Sequence, residues 1–268
     1  MADLPTKVLA LRMLTGESPL GYEPVVHLRR ASDWSHLPDA ARNGGIRSVL
    51  AVNNLELMRS IRRGLWRGFE VVPVVPNVTG YIRDTVDYGL VGAGIRRLLQ
   101  LGPVSLARVG FASLAVAPGV LRREFPALLR VLLEVEACAF GKLQPERLVL
   151  APQITDLAVA FDNPRVVQLF LEFCRARGER AFLCSNNPAM LVRRLERWGF
   201  RPQGYILPVN RSGYLCGDLE WMKSSSMRNV TIAADVIGGG AMANEDAVRF
   251  AGEAGAEEVV VDADAIGY

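Results

Sequence analysis

Two aspartates stand where apolar runs stop: Asp156 in APQITD and Asp235 in TIAADV. Carboxylates so placed can pass a proton as acid and base, or hold Mg²⁺ through oxygen. Fixing loop amides is an equally open use for each. Asp218 and Glu220 lie in the loop before Asp235 and could join them. A Schiff base needs a lysine, and the chain has only Lys7, Lys142 and Lys223 against 28 arginines. Of these only Lys223, in DLEWMKSSSM, lies in a loop long enough to reach a site; a plain surface lysine is the competing reading. His27 and His36 show no HxH or HExxH spacing for zinc. Cys138, Cys174, Cys184 and Cys216 show no CxxC spacing, so reduced thiols are expected, and no base partner for a thiol nucleophile is evident.

Amides are the second group. Asparagines close the apolar runs SVLAVNN (48–54), VVPVVPN (71–77), AFLCSNN (181–187) and YILPVN (205–210). An amide both donates and accepts, so a ring of them can hold an oxygen-rich ligand without net charge. Asn53, Asn77, Gln153, Asn186, Asn210 and Arg211 are therefore candidate substrate contacts. Local structure competes for several. Asn163 and Asn187 precede proline and fit helix caps, one of Asn53 and Asn54 fits another, and Asn210 fits the turn NRSG. Asn77, Asn186 and Gln153 have no such ready local use.

Eight short apolar runs position these residues: 7–13, 47–53, 70–76, 147–153, 180–186, 204–209, 230–237 and 257–263. Each is apolar on both parities, the pattern of a parallel strand covered on both faces. Amphipathic helical segments alternate with them, two with Asn-Pro at the start and Gly at the end (163–178 and 187–199). Alternation of this length predicts a single-domain (β/α)8 barrel over residues 1–268, with an open doubly wound sheet as the alternative. Residues 79–145 carry only helical pattern, enough for two or three helices, and are expected as a helical insertion after the third strand. Gly89, Gly92 and Gly94 would permit close helix contact there. The insertion would serve as core, as a homo-oligomer interface, or as a lid over the barrel mouth. Residues 14–46 show little periodicity and are expected to wrap the barrel rim.

With 268 residues, half of them hydrophobic, the chain can bury a large core. Its net charge of +3 is spread among mixed helical charges, which argues against a nucleic-acid surface. The first residues hold too short an apolar run for a secretory leader, and no uncharged run is long enough to span a bilayer. A cytoplasmic protein is the expectation. There is no GxGxxG between a first strand and helix, and no P-loop.

The segment VTIAADVIGGGAMANEDAVRFAGEAGAEEVVVDADA (230–265) resembles the strand 7–helix 7–strand 8 part of the phosphate-binding (β/α)8 barrels. The resemblance implies that Gly238, Gly239 and Gly240 let backbone N–H groups approach a phosphate. The chain departs from that pattern after strand 8, where VVVDADAIGY replaces a second glycine turn and brings Asp262 and Asp264 instead. The resemblance implies a lyase, isomerase or transferase acting on a phosphorylated small molecule. A prenyl or lipid phosphate fits if the apolar insertion overhangs the mouth. A non-catalytic barrel that binds a ligand or protein through the insertion is the alternative.

Overall fold

The computed structural model describes residues 6–10, 37–43, 45–122, 124–224, 227, 230–235 and 244–262. Its strands are β1 (Thr6–Ala10), β2 (Ser48–Ala51), β3 (Glu70–Val75), β4 (Arg147–Leu150), β5 (Arg180–Cys184), β6 (Gly204–Pro208), β7 (Thr231–Asp235) and β8 (Glu258–Asp262). All neighbours pair in parallel, and β8 returns to pair with β1 from Thr6↔Glu258 to Ala10↔Asp262. The sheet thus curls on itself as a closed barrel, whereas an open sheet would leave two edges unpaired.

Alternate residues along each strand face opposite ways. Leu50, Val52, Val72, Val74, Val149, Ala151, Phe182, Cys184, Ile206, Ala233 and Val260 form one buried cluster, the barrel interior. Val49, Val75, Leu148, Leu150, Leu183, Tyr205, Leu207 and Val259 belong to the larger cluster under the helices. Burial on both faces is why the runs read as continuous rather than alternating.

The N-terminal end of the barrel is closed by charge. Arg147 donates Nε and Nη2 to the two Glu70 oxygens, each at 2.9 Å, and Nη1 to Glu258 at 2.7 Å. Ser48 Oγ donates to Glu70 at 2.7 Å and accepts from Arg147 at 3.1 Å. One guanidinium therefore joins the starts of β2, β3, β4 and β8. Gly204 is required beside this plug, because a Cβ there would sit 2.2 Å from the Phe182 ring.

Helices are α1 (Leu37–Asn43), α2 (Leu55–Arg62), α3 (Val78–Leu99), α4 (Pro103–Leu121), α5 (Phe125–Phe140), α6 (Pro152–Ala160), α7 (Pro164–Arg177), α8 (Pro188–Trp198) and α9 (Asn244–Glu253). Residues 79–145 hold three of them and no described strand. The 14–46 stretch contains α1, seven residues long and too short to show periodicity. One expectation needs correction. The fourth apolar run stops at Leu150; Pro152 then opens α6, because proline at the first helical position has no hydrogen bond to lose.

α3 is not one rod. Gly89 (φ 71°, ψ 167°) is non-helical within it and folds it into two arms. Asp84 and Arg97 would be about 20 Å apart on a straight helix, yet Arg97 Nε donates to Asp84 Oδ2 at 2.9 Å. Gly92 backs onto Tyr88, where a Cβ would approach its Cβ to 2.9 Å, while Gly94 faces open space.

Candidate functional site

In barrels of this kind ligands meet the C-terminal ends of the strands. The interior cluster includes small Ala151, Cys184 and Ala233 on the β4, β5 and β7 side. Around it the amides that look alike in the sequence separate into two kinds.

Most are used by the fold. Asn54 accepts from Leu57 N (3.3 Å) and caps α2; Asn187 accepts from Met190 N (3.2 Å) and caps α8. Asn163 stands at the start of α7 but makes no side-chain cap. Asn210 closes the turn, accepting from Ser212 Oγ and Tyr214 N and donating to Tyr214 O. Asn77, for which the sequence offered no local use, caps α3 through Gly80 N (2.9 Å) and donates to Asn53 O (3.1 Å). The helix starts at Val78, so the amide before it is a cap.

Two amides remain. Gln153, in the first turn of α6, and Asn186, after β5, are both half-buried, and neither side chain makes a hydrogen bond among the described residues. Asn186 is nonetheless held firmly. Asp156 accepts from Ser185 Oγ at 2.5 Å and from Asn186 N at 3.1 Å, while Ser185 Oγ accepts from Asn187 N at 3.0 Å. Burial raises the Asp156 carboxyl above its ordinary range, and the bonds from Ser185 and Asn186 oppose that rise. Each Asp156 oxygen accepts one hydrogen bond from this turn, and the visible role of the carboxylate is to position Asn186. Among the described residues no group of three or more His, Cys, Asp or Glu could hold a metal ion.

Asp235 ends β7, paired in register with Pro208 and Val260. Gly238, Gly239 and Gly240 lie outside the described residues. Lys223 stands in solvent, with Nζ 2.7 Å from Glu220. Hydrogen bonding and charge from Glu220 raise its pKa, which suits a surface cation rather than a Schiff-base amine. Arg211 is exposed and stacks over Phe250 of α9 at 5.5 Å, so its guanidinium is held toward the helix layer.

The sequence reading missed a buried ionic cluster at the ends of β2 and β3. Arg97 donates to Asp84, donates Nη1 to Asn53 O at 2.8 Å, and stacks on Tyr81 at 4.8 Å. Glu136 of α5 lies beside it, fully buried, with one oxygen 3.9 Å from Arg97 Nη1. The side chains of Asn53 and Tyr81 and the backbone of Asn77 lie close enough to favour its ionised form. Neither oxygen of Glu136 nor the Tyr81 hydroxyl closes a well-formed hydrogen bond. Burial wins over these neighbours and raises Glu136 to about 7. The signal available in the sequence was LLEVEACAF, where Glu134 and Glu136 interrupt an apolar helix. Glu134 is answered by Arg108 at 2.7 Å.

No helix among the described residues is long and apolar enough to cross a membrane. No family model and no curated protein matches the sequence. Among solved structures, the chain is similar to a Pseudomonas aeruginosa protein assigned to the aldo-keto reductases, at 12% identity over 96% of this chain and 83% of that one, with a TM-score of 0.51. A second such structure from that organism gives 12% identity, coverage of 98% and 88%, and a TM-score of 0.49. The aldolase QR15 gives 13%, coverage of 99% and 94%, and 0.47. Such identities speak to fold alone, and the fold they support is a TIM-barrel-like α/β architecture.

Proposed function

We propose that the chain is an enzyme of the lyase, isomerase or transferase type, acting on a phosphorylated small molecule. On this reading residues 1–268 form one (β/α)8 barrel, residues 79–145 are a helical insertion after β3, and the reaction takes place at the C-terminal ends of the strands. The observation that carries it is the rim at β4 and β5. There Asn186 is held by a dedicated Asp156–Ser185 network while its own side-chain amide, like that of Gln153, makes no hydrogen bond among the described residues. A fold that fixes a backbone so closely and leaves the side chain unused is prepared for a ligand. Neutral amides suit hydroxyl or carbonyl oxygens. Gly238–Gly240 come three residues after Asp235 in the sequence and are where the phosphate would bind; Asp235 would be the acid or base.

A thermal-shift screen with inorganic phosphate, sugar phosphates, isoprenoid phosphates, polyols and lipids tests this. Stabilisation by one phosphorylated class, lost in both Asn186→Ala and Gly239→Asp variants that remain folded, is the expected result. A ligand at about a hundred times its Kd adds roughly 2.7 kcal/mol. A response to polyols or lipids alone would remove phosphate from the proposal.

A second reading, a non-catalytic binding barrel, is favoured by the apolar side chains that α3 and α4 expose. Self-association through residues 79–145 is compatible with either.

A further inference from the structure

α3 is seated mainly by polar groups. Among its described residues the buried ones are Gly80, Asp84, Ala93 and Arg97. Val78 and Leu98, near its two ends, are half-buried against apolar clusters. Between them Ile82, Val86 and Ile95 face solvent. The turn at Gly89 folds the helix into its two arms, and the Asp84–Arg97 pair joins one arm to the other.

The seam that holds these arms lies at the C-terminal ends of β2 and β3, the side where ligands meet such barrels. Arg97 of the second arm donates to the Asn53 carbonyl after β2 and stacks on Tyr81 of the first arm. Asn77, after β3, donates to the same carbonyl. Arg97 fits so closely over Gly80 that a Cβ there would collide with its Nη2. α5 closes the seam with Glu136, fully buried and 3.9 Å from Arg97 Nη1.

The seam thus holds one buried cation and two buried carboxyls. Asp84 takes the direct bond from Arg97, while neither oxygen of Glu136 closes a well-formed hydrogen bond. Arg96 comes within 3.9 Å of Asp84, but it is half-exposed and lies over Tyr88. β2 and β3 offer Glu136 the uncharged Asn53 and Asn77, and α3 offers Tyr81 and Arg97. Arg108 of α4 and Arg177 of α7 reach Glu134 instead, at 2.7 and 3.8 Å. Two residues from Glu136, Glu134 lies on the opposite side of α5.

With Glu136 neutral the seam balances one cation against one anion. With Glu136 ionised a fully buried site carries excess negative charge, and admitting water between the arms and α5 relieves it. We infer that Glu136 is a pH-sensitive latch: its neutral form keeps the α3 arms seated on the ends of β2 and β3, and its ionised form releases them. Gly89, already outside helical geometry, is where the arms can part. Burial raises the carboxyl from 4.5 to about 7, which puts the change near neutral pH. The seated state binds the proton more tightly than the open one, so seating weakens as pH rises from the lower value and the loss is complete above the higher one. The latch is independent of the substrate class.

Hydrogen exchange of the full chain, read by mass spectrometry at about pH 6 and pH 8 and corrected for intrinsic rates, tests it. Linkage between the two carboxyl values predicts that protection of residues 78–99 falls about tenfold over this interval. Glu136→Gln should show no such fall. In Asp84→Asn ionised Glu136 becomes the counter-charge of Arg97, so the fall should shrink or reverse. The opening should be local: low urea should speed exchange in β4, β5 and β6 and leave that of residues 78–99 nearly unchanged. A parent without the fall would overturn the inference, as would a fall that persists in Glu136→Gln. So would exchange of residues 78–99 only together with the strands, which would mean global unfolding and no latch.

Discussion

Replacing Glu136 by Gln should make the protein more stable at neutral pH, an unusual result for a charge next to an arginine. The physics is linkage. Burial raises the Glu136 carboxyl from an ordinary 4.5 to about 7. Between these values the folded state keeps a proton that the unfolded chain releases, so stability falls as pH rises and the loss is complete above the folded value. The shift from 4.5 to about 7 converts, at 1.36 kcal/mol per unit, to about 3 kcal/mol. Local relaxation reduces this, so about 1–3 kcal/mol is the working figure. Gln keeps the shape of the neutral acid and removes the titration. Arg97 retains Asp84 at 2.9 Å and the Asn53 carbonyl at 2.8 Å, so the guanidinium is not stranded. Urea unfolding of parent and Glu136→Gln between about pH 5 and 8 gives the difference directly. Other carboxyls, Asp156 included, titrate alike in both proteins and cancel. The difference should be smallest near pH 5 and widen toward pH 8, with Gln the more stable. Parallel curves, or a Gln variant weaker at pH 8, would refute the reasoning: Glu136 would then be ionised throughout and hold Arg97 as a true ion pair.

Arg147→Met should cost about 3–5 kcal/mol in urea unfolding, because it leaves Glu70 and Glu258 facing one another at the closed end of the barrel without their shared cation. Gly89→Ala should destabilise by about 1–3 kcal/mol, since its φ of 71° with ψ of 167° is open only to glycine; hydrogen exchange should speed up through residues 78–99 more than in the barrel strands. Asn210→Ala should lower the melting temperature by removing the turn bonds to Ser212 and Tyr214, whereas Asn186→Ala should leave it nearly unchanged and lose only ligand-induced stabilisation.

The barrel strands and most helix ends were legible because they depend on local chemistry. A strand buried on both faces is mostly apolar on both parities, and Asn-Pro with a closing Gly marks α8 whatever lies around it. Asn54 and Asn187 declared their caps for the same reason. α6 was hidden because Pro152 can end a strand or open a helix, and only the pairing of β4 with β5 through Leu150↔Leu183 decides. Asn186 and Asn77 show the limit most clearly. Both close apolar runs, yet one is a free amide at the rim and the other is enclosed as a cap. The difference lies in Asp156, 30 residues from Asn186 in sequence, and in the helix that begins at Val78. The cluster of Tyr81, Asp84, Arg97 and Glu136 was invisible for a stronger reason. Its members come from three helical stretches that only the turn at Gly89 and the packing of α5 bring together. The sequence by itself determined which segments must be covered by others, since hydrophobic burial is written residue by residue. Tertiary structure alone decided which polar groups meet and which stay free, because hydrogen bonding depends on distances of a few ångströms between residues far apart in the chain.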